Sequence, residues 1–98
     1  MGFQRCETMS VTVLLPRGLA KYCDGNSEQL CQPGSLDEIV DELVSRYPSL
    51  ASRVRDKGQL RSHLLLFHDG EPVSREAFGR LTLVDSQQLR VVFLAGGG

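Results

Sequence analysis

Ser35-Leu36-Asp37-Glu38-Ile39-Val40-Asp41-Glu42-Leu43-Val44-Ser45-Arg46-Tyr47-Pro48 carries the signals for both ends of a helix. Ser35 followed three residues later by Glu38 is a capping box, in which the hydroxyl and the carboxylate satisfy amides that the first turn leaves without partners. Leu36, Ile39, Val40, Leu43, Val44 and Tyr47 then recur at helical spacing and form one apolar stripe. Asp37, Asp41, Glu42, Ser45 and Arg46 fall on the opposite side, and acidic residues early with Arg46 late agree with the helix dipole. Pro48 disfavours helical backbone at Tyr47 and marks the exit. An amphipathic helix of this length needs an apolar surface to cover.

Upstream, Val11 to Leu15 is a continuous β-branched and apolar run that Pro16 ends, since proline cannot donate to a sheet ladder. Gly18, Asp24, Gly25 and Asn26 fill the next segment, and Asp24-Gly25-Asn26 reads as a reversal. Glu28 to Cys31, placed between that turn and Pro33-Gly34, suits the return strand of a hairpin. Downstream, a short helical turn through Leu50 and Val54 is expected, interrupted at Lys57-Gly58. His63 to His68 is a strand-length apolar run ending in Asp69-Gly70, a dipeptide suited to a tight turn with positive φ at both positions. Val73 is expected to pair briefly, Leu81 and Leu83 add an apolar ridge, and Asp85-Ser86 turns the chain into a last strand from Leu89 to Leu94.

The order strand, strand, helix, strand, short strand, strand gives a two-layer α+β fold: a mixed sheet of four or five strands packed on one main helix. The first and last strands, both strongly apolar, are expected side by side at the centre, where coverage is most complete. The expected organisation is a loose N-terminal extension over residues 1–8, one domain over 9–95 and a flexible glycine tail over 96–98.

Gly96-Gly97-Gly98 directly follows the last apolar strand. Glycines there have no further chain to turn, and they form an arm without side chains that can enter a channel any Cβ would block. The group at its end is the Gly98 carboxylate. A free carboxylate does not acylate nucleophiles, so its use requires activation by a separate ATP-using enzyme. The chain itself has no G-x-x-x-x-G-K-[ST] and no glycine-rich strand-to-helix loop to cradle phosphates.

Other features are read as structural. Ninety-eight residues with 41% hydrophobic and 23% charged composition fit one soluble domain. A formal net charge of -1 offers no field to attract nucleic acid or an anionic membrane, and no apolar run approaches membrane-spanning length. With no hydrophobic leader at the start, a cytoplasmic location is expected. Cys6, Cys23 and Cys31 are odd in number and lack C-x-x-C spacing, so they read as small reduced side chains, with Cys23 and Cys31 able to pair only if oxidised. His63 and His68, five apart, should point to opposite faces, and no metal site is expected. Arg53, Arg55, Lys57 and Arg61 form a basic cluster, read first as a solvated face and second as a docking patch.

With these elements in order, the chain from about Ser10 to Gly98 resembles the ThiS/MoaD sulfur-carrier family of ubiquitin-like proteins. The resemblance rests on Val11-Thr12-Val13, on Gly34-Ser35-Leu36-Asp37-Glu38-Ile39-Val40-Asp41-Glu42-Leu43, and on Arg46-Tyr47-Pro48-Ser49-Leu50. Asp69-Gly70-Glu71-Pro72-Val73 and the tail complete it. It implies a β-grasp fold and a protein that is a co-substrate, not an enzyme. Gly98, with Gly97 before it, would be adenylated by an activating enzyme resembling those of ubiquitin, which uses ATP and Mg. A rhodanese or cysteine desulfurase type donor would then supply sulfur, giving a thiocarboxylate for a sulfur-acceptor biosynthetic enzyme. The chain itself would bind no cofactor. By position, Val92, Phe93 and Leu94 match the apolar strand end that helps dock partners, and Gly96 lengthens the arm. Leu65 and Phe67, with Phe93, are candidates for an exposed sheet patch. The turn at Asp85-Ser86-Gln87 departs from the family's usual Asp-Gly. A ubiquitin-like modifier joined to lysines through Gly98, the small subunit of a molybdopterin-synthase-type complex and a plain β-grasp interaction domain are the rivals.

Overall fold

The computed structural model describes residues 10–57 and 59–93. Strand β1 (Val11–Leu14) pairs antiparallel with β2 (Glu28–Cys31) and parallel with β9 (Gln88–Phe93), which in turn pairs antiparallel with β6 (Leu64–His68). A short strand β7 (Glu71–Pro72) completes a five-stranded mixed sheet in the order β2-β1-β9-β6-β7. The first and last strands therefore lie side by side at its centre, as expected. The α+β β-grasp layout read from the sequence is the observed one.

Helix α2 (Leu36–Arg46) crosses one face of this sheet. Both arms of its capping box form: the Glu38 amide donates to Ser35 Oγ at 3.2 Å, and the Ser35 amide donates to Glu38 Oε1 at 2.9 Å. Leu36, Ile39, Val40 and Leu43 are buried against Val11, Val13, Leu64, Leu66, Leu89 and Val91 of the sheet. Burial of this apolar surface is the main stabilising term, at about 25 cal/mol per Å² removed from water.

The acidic residues of α2 are spoken for in ways that keep them wet. Glu42 pairs with Arg46 at 2.6 Å and also accepts from the Gln32 amide, while Asp41 and Asp37 flank Arg55 at 2.6 and 3.8 Å. Past Tyr47 the chain makes a 3-10 turn (Pro48–Leu50), then helix α3 (Ala51–Val54), with Leu50 and Val54 buried. Strands β4 (Arg55–Asp56) and β5 (Gln59–Leu60) form a small hairpin after it.

The Asp69-Gly70 turn has φ of 51° and 89°, the positive pair that the β6–β7 hairpin demands. Asp69 also ties the hairpin to β9: its amide donates to the Gln88 carbonyl at 2.9 Å and its carboxylate accepts from the Gln88 amide at 2.8 Å. At the turn before β9, Ser86 takes φ 74°, a left-handed conformation that glycine adopts more easily.

Several short elements were not legible in sequence, the β4–β5 hairpin among them. Helix α1 (Arg17–Ala20) follows Pro16 inside a segment read as turns, and it buries Leu19 and Ala20. A 3-10 stretch (Arg75–Arg80) precedes β8 (Thr82–Leu83), which pairs with β3 (Gly34–Ser35) directly before the main helix. The expected extension, and with it Cys6, lies outside the described residues.

Candidate docking face and tail exit

Gly96, Gly97 and Gly98, together with Leu94, lie outside the described residues. The structure does describe the strand that leads to them. Residues directly opposed across antiparallel strands share a face, and successive residues alternate. In β9, Leu89, Val91 and Phe93 therefore face the helix while Gln88, Arg90 and Val92 face outward.

The register brings Leu65 opposite Val92, and Phe67 and Leu14 to either side of Arg90, on the outward face. Thr12 and Leu30 extend that face across β1 and β2. Leu65 is 38% exposed and Leu30 54% exposed, whereas Leu14, Phe67 and Val92 are partly covered. The result is an apolar surface with exposed Arg90 set into it, on the layer opposite the helix. Larger contiguous patches of this kind mark interaction sites more often than chance exposure does.

Phe93 does not belong to this patch, which corrects the expectation that it joins Leu65 and Phe67. It stands opposite Leu64 on the helix side, because a residue next to Val92 in a strand must point the other way. Its ring stacks on His63 with centroids 5.4 Å apart and an interplanar angle of 14°. Sequence reasoning also passed over Leu14 and Leu30. Both look like core residues by type, and Leu30 sits between buried Gln29 and Cys31, so alternation from Gln29 was the signal that places it outside.

Phe93 is one wall of an open groove shared by Gly18, Lys21, Tyr22, Arg53, Arg61 and His63. The basic cluster noted in the sequence is thus divided. Arg53 and Arg61 line this groove, Arg55 is drawn to Asp37 and Asp41 on the helix, and Lys57 is exposed at the β4–β5 turn with φ 56°.

The remaining chemistry-bearing groups point inward. Cys23 and Cys31 are buried thiols; burial pushes both pKa values up, with Asp24 adding to the effect at Cys23 and Glu42 at Cys31, which reaches about 11. Neither is a ready nucleophile, since the thiolate is the reactive form. His68 is on the helix side opposite Leu89, and its Nε2 is buried without a partner among the described residues. Among the described residues no three His, Cys, Asp or Glu side chains gather in a metal-binding set, and no helix is long and apolar enough to cross a membrane. A gap of about 30 Å³ between helix and sheet is lined only by apolar side chains, so it offers nothing to hold even one water.

No protein-family model and no curated protein sequence matches the chain. Solved structures do match in fold. SAMP1 from Haloferax volcanii is similar with 25% identity and a TM-score of 0.74, over 91% of this chain and 99% of that one. A chain of the Amycolatopsis orientalis BexX/CysO complex matches with 24% identity and a TM-score of 0.75, over 90% and 99%. CysO from Mycobacterium tuberculosis matches with 18% identity and a TM-score of 0.77, over 87% and 99%. The structural neighbours are ubiquitin-like β-grasp proteins of the sulfur-carrier and modifier kind, as the sequence resemblance implied.

Proposed function

We propose that this chain is a sulfur carrier that works through the carboxylate of Gly98. The observation that carries the reading is a conjunction: the fold aligns over nearly the whole length of SAMP1 and CysO, and the sequence beyond the central strand β9 is Leu94-Ala95-Gly96-Gly97-Gly98. A central strand fixed on both sides is a rigid base for a narrow arm. Gly97 and Gly98 can then enter an enzyme channel that side chains would obstruct.

In this reading the Gly98 carboxylate attacks the α-phosphorus of ATP, held with Mg in an activating enzyme of the ubiquitin-activating type, and pyrophosphate leaves. A sulfur nucleophile on a rhodanese or cysteine desulfurase type donor attacks the acyl carbon, and AMP leaves. The sulfur nucleophile being a persulfide, the product is an acyl disulfide. A second thiol then attacks the donor's sulfur, the S–S bond breaks to release the thiocarboxylate, and the donor is left as a disulfide. A biosynthetic enzyme then consumes the thiocarboxylate. The chain contributes the acyl group, the arm and the docking surface of Leu65, Phe67 and Val92, with Leu94 and Gly96 at the base of the arm. Phe93 supports that base from the other face. The partners contribute all the bond-making groups, in keeping with thiols here that burial makes unreactive.

The test is intact mass spectrometry of the chain with its activating enzyme, ATP and a sulfur donor. One oxygen-to-sulfur exchange is expected, and deletion of Gly98 should abolish it. An unchanged mass with the adenylating enzymes of the same organism overturns the reading. A second reading, conjugation through Gly98 to lysines, is favoured by one observation: the SAMP1 of Haloferax volcanii that this chain resembles in fold is by name a small archaeal modifier protein. Conjugates that survive reducing agent would support it.

A further inference from the structure

The groove beside Phe93 takes no part in the carrier chemistry above, and its walls come from separate places in the fold: the end of α1, helix α3, the approach to β6 and the end of β9. Three of its side chains, Lys21, Arg53 and Arg61, are cationic, and among the described residues no carboxylate lines it. The cations are held in place. Arg61 Nε donates to the Ser52 carbonyl at 2.8 Å, which orients that guanidinium. The Arg53 guanidinium lies 4.9 Å from the centre of the Tyr22 ring and Lys21 Nζ lies 5.4 Å from it, so one ring gathers both. Outside the described residues the sequence holds one acidic side chain, Glu7, beside basic Arg5, and the terminal carboxylate. Those negative charges together fall short of three cations, so the groove keeps a positive excess wherever they lie.

We infer that this groove seats an acidic segment of a partner protein, whose carboxylates lie among Lys21, Arg53 and Arg61. Each arginine can fork onto a carboxylate through paired N–H groups, and Lys21 adds a point charge beside them. The aromatic rings separate a protein acid from the phosphates of single-stranded nucleic acid, which binds where bases find free ring faces to stack on. Here Tyr22 carries the two cations, and the Phe93 and His63 rings stack on each other at 5.4 Å. A Cβ built on Gly18 would meet the edge of the same Phe93 ring at 2.6 Å. The rings of the groove are thus engaged within the chain. Position also favours a protein. Val92, one step along β9 from Phe93, belongs to the outward apolar face with Leu65, so a partner gripping this end of the sheet reaches both. The apolar face then contributes buried area, while the groove contributes charge steering and register.

The experiment titrates the full chain with an oligoglutamate peptide of blocked ends in low salt and follows backbone amide resonances. It needs no adenylating enzyme, so it can fail without the mass measurement failing, and the reverse. Saturating shifts are expected at Lys21, Arg53, Arg61 and His63, fading toward 1 M salt, where the screening length is about 3 Å. Arg53→Glu and Lys21→Glu, both at exposed positions, should each weaken binding at least about tenfold. Arg80→Glu makes the same change of charge at an exposed position off the groove and should weaken binding no more than about twofold. If Arg53→Glu perturbs the core resonances, Lys21→Glu decides. Shifts that never saturate, shifts spread equally around Arg17, Arg80 and Arg90, or an Arg80→Glu effect as large as that of Lys21→Glu overturn the inference. So does tighter binding of a single-stranded oligouridylate in the same groove, which would make the occupant a nucleic acid. Groove shifts that grow with protein concentration alone would make it a second copy of the chain, and overturn it as well.

Discussion

Phe93 rests its ring against Gly18: a Cβ built on Gly18 would come within 2.6 Å of Phe93 Cε2. The last described residue of the central strand is therefore clamped between helix α1 and His63, whose ring it stacks on. The Phe93 ring is thus held between the Gly18 backbone on one side and the His63 ring on the other.

Gly18→Ala should displace the Phe93 ring and destabilise the fold by about 1 kcal/mol, at the low end for overpacking because the ring is at the rim of the core. Urea denaturation measures it. Phe93→Leu in the same chain should recover most of the loss, and a strictly additive double variant would show that the contact does not matter.

Ser35→Ala removes the hydroxyl that accepts from the Glu38 amide, and a loss of about 1 kcal/mol is expected. Glu38→Ala should cost less than that when added to Ser35→Ala than when made alone, because each arm of the box supports the other. Chemical denaturation of the four chains tests this.

Cys31 has its pKa raised from the ordinary 9.0 to about 11. Below pH 9 the thiol is protonated in both folded and unfolded chains, so its contribution to stability is constant there. Between about pH 9 and 11 the unfolded thiol loses its proton first, and stability should fall. Unfolding midpoints across this range should slope downward, and Cys31→Ala should flatten that part of the slope. Alkylation of Cys31 in the folded protein should also be slow at pH 8 and become fast on unfolding.

Leu65→Asp places a charge in the outward apolar face without disturbing the core, so stability should change by no more than about 0.5 kcal/mol. On the proposed carrier function, adenylation of the chain should nonetheless weaken, with KM raised at least about tenfold, a loss of about 1.4 kcal/mol in binding. An unchanged KM would mean that partners approach from elsewhere.

Much of this architecture is legible without coordinates. The capping box, the stripe from Leu36 to Leu43, the Asp69-Gly70 turn and the β-branched run at Val11 are local signals, set by neighbours in the chain. Helix α1 and the 3-10 stretch were illegible for the opposite reason. Gly18 and the turn formers around it favour no single conformation, and Leu19 becomes helical because the sheet and α3 bury it. The glycine arm is visible as composition and nothing more.

What the sequence alone determined, then, is the main helix with its buried stripe and the principal strands, since these depend on periodicity, turn residues and residue type. Tertiary structure decided which outward residues meet. Leu65 and Val92 become neighbours only through the β6–β9 register, while Phe93 is turned to the other side by a single step of the pleat. It also brought Lys21, Arg53 and Arg61 into one groove beside Phe93 from three separate segments. No local rule encodes such a meeting, because it depends on the packing of helices α1 and α3 beside the end of one strand.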